Sequence, residues 1–187
     1  PTQGKSEKAP ARQALGLEDA DKVVAILPGS RSSEVALIGP VFFRTAELLG
    51  SDFKFVVPAT NRKRAQQIQT LWKSLIPDIP IKITDDPLAA MTAADAVLVK
   101  SGTATLEAML LRRPMVMAYR LGKFAYSIIS RMVNTPYFAL PNILAGREVI
   151  PEFIQDDADP VVMAEAMKKL MGQSQDELMS EFDAIHQ

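Results

Sequence analysis

Five short apolar runs, each separated from the next by a stretch with helical spacing, constrain this chain more than any other feature. They are KVVAIL (22–27), FKFVVP (53–58), IKIT (81–84), AVLV (96–99) and PMVMAY (114–119). Such runs, rich in valine and isoleucine and lacking a polar face, predict strands buried from both sides. Between them the spacing predicts a helix near 40–50, with Pro40 in its first turn and Gly50 as its stop. A second helix is expected over 61–76, with Ile68, Leu71, Trp72 and Leu75 on one face. Asp86 followed by Pro87 reads as an N-cap and first-turn proline opening a helix to about Ala94, and 104–112 reads as another helix. Strands alternating with helices imply βαβ units and an α/β fold with a Rossmann-like, doubly wound parallel sheet.

Beyond Tyr119 the alternation stops. A helix is expected over 122–133, then a turn-rich stretch, NTPYFALPNILAGREVIPEF. Asp159-Pro160 opens a helix to about Met171, and Ser174 with Glu177 reads as a capping box for a last one. The polar start, PTQGKSEKAPARQ, reads as a linker. The expected organisation is a linker and short lead-in helix over 1–20, a Rossmann-like domain over 21–172, and a terminal helix over 173–187. Composition narrows the chemistry. With no cysteine, disulfides and thiolate metal sites are excluded, and a single histidine, His186, argues against a histidine triad or a histidine-rich metal site. A net charge of −1 gives no sign of duplex nucleic-acid binding. No apolar run approaches the roughly 18 residues that span a bilayer.

In an open parallel sheet, ligands bind beyond the carboxyl ends of the strands. Two strand-to-helix turns there have the composition of phosphate cradles. In ILPGSRSSEV, Gly29 and Ser30 break the strand and Arg31 supplies a guanidinium. In KSGTATLE, Gly102 permits close backbone approach, and Ser101, Thr103 and the free N–H groups of a helix start can donate. Each turn is equally compatible with simply turning a corner. Neither is a Walker A loop or a G-x-G-x-x-G fingerprint. Glu107 lies in the early turns of an otherwise small and apolar helix, where Ala104 cannot act as its capping partner. It is either a carboxylate favoured by the helix dipole or an acceptor for two ribose hydroxyls. Asp85 and Asp86 form an adjacent carboxylate pair, but N-capping accounts for Asp86, and neither is assigned as a base. No Asp-x-Asp pair stands near these loops, and the residues themselves call for no metal and no cofactor.

The segments LPGSRSSEV, SGTATLEAML, PMVMAYR and LPNILAGREVIPEFIQ, in this order, resemble the lipid-A-disaccharide synthase family over nearly all of 11–172. SGTATLE is shared more widely among glycosyltransferases of the two-Rossmann-domain (GT-B) type, and LPNILAGRE is the more specific piece. The resemblance implies one half of a GT-B enzyme, the C-terminal, nucleotide-binding half. The whole enzyme would be an inverting, metal-independent hexosyltransferase. It would join the sugar of UDP-2,3-diacylglucosamine to 2,3-diacylglucosamine 1-phosphate and release UDP, on the inner face of a Gram-negative cytoplasmic membrane. Carried over by position, Gly29, Ser30, Arg31, Ser101, Gly102 and Thr103 would meet the diphosphate and Glu107 the ribose, while Asn142, Arg147 and Glu148 would shape the donor site. The general base would lie in the N-terminal domain, and the terminal helix would pack there. This chain alone would then be inactive. Two other readings stand beside this one: half of another UDP-sugar enzyme, such as an N-acetylglucosaminyltransferase or a 2-epimerase, or a non-catalytic nucleotide-sugar binding module. YRLGKFAYSIISRM (119–132) carries Arg120, Lys123 and Arg131 and no acid, with Phe124, Ile128 and Met132 on one face. Such a helix can lie on an anionic membrane, or be a core helix with a basic rim.

Overall fold

The computed structural model describes residues 7–100, 102–132 and 135–186. A helix, α1 (Lys8–Ala14), leads into β1 (Lys22–Leu27), α2 (Ser32–Leu49), β2 (Phe53–Pro58), α3 (Arg62–Leu75), β3 (Ile81–Thr84), α4 (Pro87–Ala93), β4 (Ala96–Lys100), α5 (Thr103–Leu110) and β5 (Met115–Tyr119). Then follow α6 (Lys123–Met132), α7 (Leu140–Ala145), β6 (Glu152–Ile154), a 3-10 turn (Gln155–Asp157), α8 (Pro160–Gly172) and α9 (Asp176–His186). The strands form one sheet in the order β3-β2-β1-β4-β5-β6, with every pairing parallel. The chain leaves β1 toward β2 and β3 on one side and returns to β4 on the other. The strand order therefore reverses between β1 and β4, which is where such sheets open a crevice.

Alternation along the strands sorts the core into two layers. Val24 and Ile26 of β1, Phe55 and Val57 of β2, Leu98 of β4 and Val116 of β5 face α2, α3 and α8. Val23, Ala25, Leu27, Val56, Val97, Val99, Met115 and Met117 face the layer built by α4, α5, α7 and α9. In the first layer Trp72 packs edge-on against Phe43, with centroids 5.0 Å apart, and its indole N–H donates to the Ile79 carbonyl at 2.6 Å. On the opposite side buried Arg12 of α1 clamps the lower end of the sheet, donating to Ala93 O at 2.9 Å and to Asp95 Oδ2 at 2.9 Å.

Several elements depart from expectation. The helix expected near 40–50 begins at Ser32, so Pro40 lies in its interior. The proline withholds only the N–H that would bond to the Ala36 carbonyl, and burial of Val35, Ile38, Phe42 and Phe43 around it keeps the helix continuous. The turn-rich stretch contains α7, which ends at left-handed Gly146 (φ 66), and the edge strand β6. The Ser174–Glu177 capping box does not form: α9 starts at Asp176, and the Ser174 hydroxyl lies 3.4 Å from the Asp176 amide instead. That helix packs on this domain's own core through Phe182, Leu178 and Met179, and Arg112–Asp183 and Arg147–Glu181 ion pairs tie it down. No helix among the described residues is long and apolar enough to cross a membrane.

Candidate functional site

A cleft of about 330 Å³ opens at the carboxyl ends of β1, β2 and β4. Its walls include Gly29, Ser30, Glu34, Thr60, Asp85, Lys100, Gly102, Thr103 and Glu107. The two turns singled out by composition thus converge at the point where the strand order reverses. Ser101 lies outside the described residues.

The β1–α2 turn is built around Gly29, at φ +105. A Cβ there would stand 2.6 Å from Glu34 Oε2 and 3.1 Å from Lys100 Cδ, so only glycine fits. The amides of Ser30 and Arg31 both donate to Glu34 Oε2 at 3.0 Å. Arg31 is the N-cap of α2, and since a guanidinium cannot accept, only the Glu34 half of a capping box forms. The Ser30 carbonyl accepts from Arg64 Nε at 3.2 Å, which ties the turn to α3. The Arg31 side chain is exposed and makes no hydrogen bond or ion pair among the described residues.

Across the cleft, Gly102 at φ +127 is the N-cap of α5, and its carbonyl accepts from the buried Thr105 hydroxyl at 2.8 Å. Thr103 and Glu107 are both exposed on the cleft side of α5, and the Glu107 carboxylate has no protein partner among the described residues. Asp86 caps α4 by accepting from the Ala89 amide at 2.9 Å, as its sequence context predicts.

Two cleft residues escaped the sequence reading. Lys100 Nζ, at the end of β4, donates to Glu34 Oε1 at 2.8 Å and stands 4.9 Å from the Tyr119 ring centroid. Burial pushes the Glu34 carboxyl up, but the Lys100 hydrogen bond and charge and the Arg31 and Ser30 amides outweigh it, so it ionises below the usual carboxylate range. The available signals were a glutamate three residues past the N-cap and a lysine ending an apolar run.

The segment expected to shape the donor site divides in two. Asn142 is fully buried and spends its whole hydrogen-bonding capacity inside the protein. Its Nδ2 donates to Ile150 O at 2.9 Å and Glu152 Oε1 at 2.6 Å, and its Oδ1 accepts from the Val149 and Ile150 amides at 2.7 and 2.9 Å. It therefore braces the segment from within and does not line the cleft. Arg147 and Glu148 are exposed beside α9, where Arg147 pairs with Glu181, and neither lines the cleft.

A sequence profile of the lipid-A-disaccharide synthetase family matches residues 2–186. The chain belongs to this family. It is 44% identical over 188 residues to the lipid-A-disaccharide synthase of Azotobacter vinelandii, covering 97% of this chain and 49% of that protein. To the one from Aliivibrio fischeri strain MJ11 it is 42% identical over 186 residues, covering 97% and 49%. The chain spans about half the length of the curated relatives it matches, and that half is the C-terminal one. Among solved structures, the C-terminal CMP-Kdo binding domain of WaaA from Acinetobacter baumannii superposes with a TM-score of 0.60 at 15% identity, over 100% of both chains. WaaG, a glycosyltransferase involved in lipopolysaccharide biosynthesis, gives 0.53 at 17% identity, over 99% of this chain and 48% of that one. At these identities the likeness establishes the Rossmann-like GT-B fold and nothing finer.

Proposed function

We propose that this domain binds the UDP of a UDP-2,3-diacylglucosamine donor. In the longer protein, the diacylglucosamine passes to a hydroxyl of 2,3-diacylglucosamine 1-phosphate. Within this lipid-A-disaccharide synthetase family member, the observation that carries the reading is the convergence of two glycine turns with exposed Glu107 in one cleft. Gly29 and Ser30 on one wall and Gly102 and Thr103 on the other bracket the diphosphate. Arg31 follows Ser30 with an exposed side chain that does not line the cleft and would have to reach the diphosphate from its rim, and Ser101 belongs to the same loop as Gly102 by sequence. Glu107, in the second turn of α5, accepts the two ribose hydroxyls.

The chemistry required of this half is electrostatic. As the bond from the anomeric carbon to the phosphate oxygen breaks, negative charge grows on UDP. The Arg31 guanidinium and the N–H groups at the start of α5 stabilise it. The acceptor hydroxyl attacks the opposite face and inverts the centre, and its proton goes to a base in the half of the relatives that this chain does not span. Asn142 contributes by holding the wall next to β5, whereas Arg147 and Glu148 contact no nucleotide in this reading.

The acylated substrates suit a site at the inner face of the cytoplasmic membrane, and α6 supports that placement. None of its described side chains is buried, Phe124 is 81% exposed and Ile128 46% exposed, and the helix has no acid. Arg120 is not free for lipid, because it donates to the Gln155 and Ala158 carbonyls at 3.1 Å, which leaves Lys123 and Arg131 for anionic headgroups.

Calorimetric titration of UDP tests the nucleotide reading. Saturable binding that weakens in both Arg31→Ala and Glu107→Ala is the expected result. Unchanged affinity in both variants, or no binding to a folded wild-type chain, would overturn it.

A further inference from the structure

The cleft contains one charged pair to which the nucleotide reading gives no task. Lys100 reaches from the end of β4 across to the β1–α2 turn, joining residues 66 positions apart. Its side chain is 13% exposed and that of Glu34 is 23% exposed, so both charges sit in the wall of the cleft rather than out in solvent. One Glu34 oxygen takes the Lys100 ammonium and the other takes the adjacent Ser30 and Arg31 amides. Two neighbouring N–H groups and an ammonium are the donor set that a phosphate oxygen cluster uses. Here a carboxylate of the protein itself sits on that donor set. An ammonium has three N–H donors, and only one of those on Lys100 has a protein acceptor among the described residues. The Tyr119 ring limits where the ammonium can swing.

We propose that Lys100 is a phosphate-binding cation of this cleft and that Glu34 is an internal anion standing in for the ligand's phosphate. The proposal rests on the UDP reading and adds to it a specific cation and a resident competitor. A diphosphate entering between the two turns meets the remaining Lys100 donors. Glu34 keeps that ammonium over the turn, and its negative charge opposes the phosphate, so nucleotide affinity is set by the difference between the two. This lets a diphosphate be recognised and then released.

The test is calorimetry of UDP and of uridine with the wild-type chain, Lys100→Met, Lys100→Arg and Glu34→Gln, with thermal melts confirming that each variant is folded. Lys100→Met is expected to weaken UDP about ten-fold, the scale of one charge-assisted hydrogen bond, and to leave uridine unchanged. Lys100→Arg keeps most of the diphosphate preference. Glu34→Gln removes the opposing charge yet keeps an amide oxygen for the turn, and is expected to tighten UDP roughly three-fold with uridine unchanged. An unaltered UDP-to-uridine ratio in Lys100→Met overturns the proposal while the UDP site itself stands. Equal weakening of both ligands by Glu34→Gln also overturns it, since that is the behaviour of a mere prop for the turn. If Lys100→Met fails to fold, the sign of the Glu34→Gln effect decides. Absence of UDP binding to the folded wild-type chain overturns this proposal and the UDP reading together.

Discussion

Replacing Asn142 by alanine should be among the costliest single substitutions in this domain. The side chain is completely buried and makes four hydrogen bonds, at 2.9, 2.6, 2.7 and 2.9 Å. Truncation strips partners from both the amide and the carbonyl of Ile150, itself only 1% exposed, as well as from the Val149 amide and one Glu152 oxygen. A buried polar group left unpaired costs about 1–3 kcal/mol, and partial relaxation of the loop recovers some of it, so the net expectation is about 3–5 kcal/mol. With a urea slope of roughly 2 kcal/mol/M, the unfolding midpoint should fall by roughly 2 M. Equilibrium urea unfolding followed by circular dichroism measures this. A loss below about 1 kcal/mol would refute the claim that this side chain braces the segment, because that is the scale of a single exposed hydrogen bond. Asn142→Asp sharpens the test. It is isosteric but loses both donors and sets a second carboxylate against Glu152. Two carboxyl groups so close must share a proton, so one of them has its folded-state pKa raised. The penalty is then full at neutral pH and shrinks as pH falls through that raised value. Asn142→Ala carries no such pH dependence.

Three further outcomes follow from the geometry. Gly29→Ala combines φ +105 with a Cβ contact of 2.6 Å to Glu34, and should cost about 1–3 kcal/mol in thermal or urea unfolding while weakening UDP. In Asp95, burial pushes the carboxyl up but Lys8, the Val23 amide and Arg12 outweigh it, so its folded-state pKa is depressed. Its stabilisation is therefore present at neutral pH and disappears as pH falls below about 4 through the folded value; Asp95→Asn should flatten the acid limb of a stability–pH profile, and an unchanged limb would contradict this. The pair Phe124→Ser and Ile128→Ser should leave stability within about 0.5 kcal/mol while lowering co-sedimentation with anionic vesicles, and a cooperative loss of stability instead would mean that α6 packs on the domain.

The strands were the most legible part of the sequence. The bounds expected at 22–27, 53–58 and 81–84 coincide with β1, β2 and β3. β1 and β2 carry runs of fully buried residues that only turns can end, whereas β3 is an edge strand in which half-buried Ile81 and Ile83 alternate with exposed Lys82, so the expectation of burial on both faces fails there. Edge strand β6 left no such mark: it has three residues, none fully buried, and exists only through its pairing with β5. The start of α2 was hidden by Pro40, whose local cost is overridden by burial that a single segment cannot reveal. In the cleft, Gly29 and Gly102 were readable because positive φ selects glycine. Glu34 and Lys100 were not, since their meeting depends on β1 and β4 being neighbours, a fact of topology rather than of any local motif.

The same distinction explains how the 138–152 segment can matter without lining the cleft. Glu152 accepts from the Phe138 and Ala139 amides at 2.7 and 3.3 Å through one oxygen, and through the other from Asn142. That fixes the chain where Phe138 lies, with its ring 6.3 Å from that of Tyr119. Tyr119 in turn stands beneath the Lys100 ammonium, which pairs with Glu34 at the β1–α2 turn. Each link is an ordinary contact, but the links run in series, so a change at Asn142 is expected to reach the cleft as a displaced Tyr119 ring rather than as a lost ligand contact. A substitution there should therefore reduce nucleotide binding only to the extent that it loosens the wall. Substitutions at Gly29 or Lys100 act on the donors themselves.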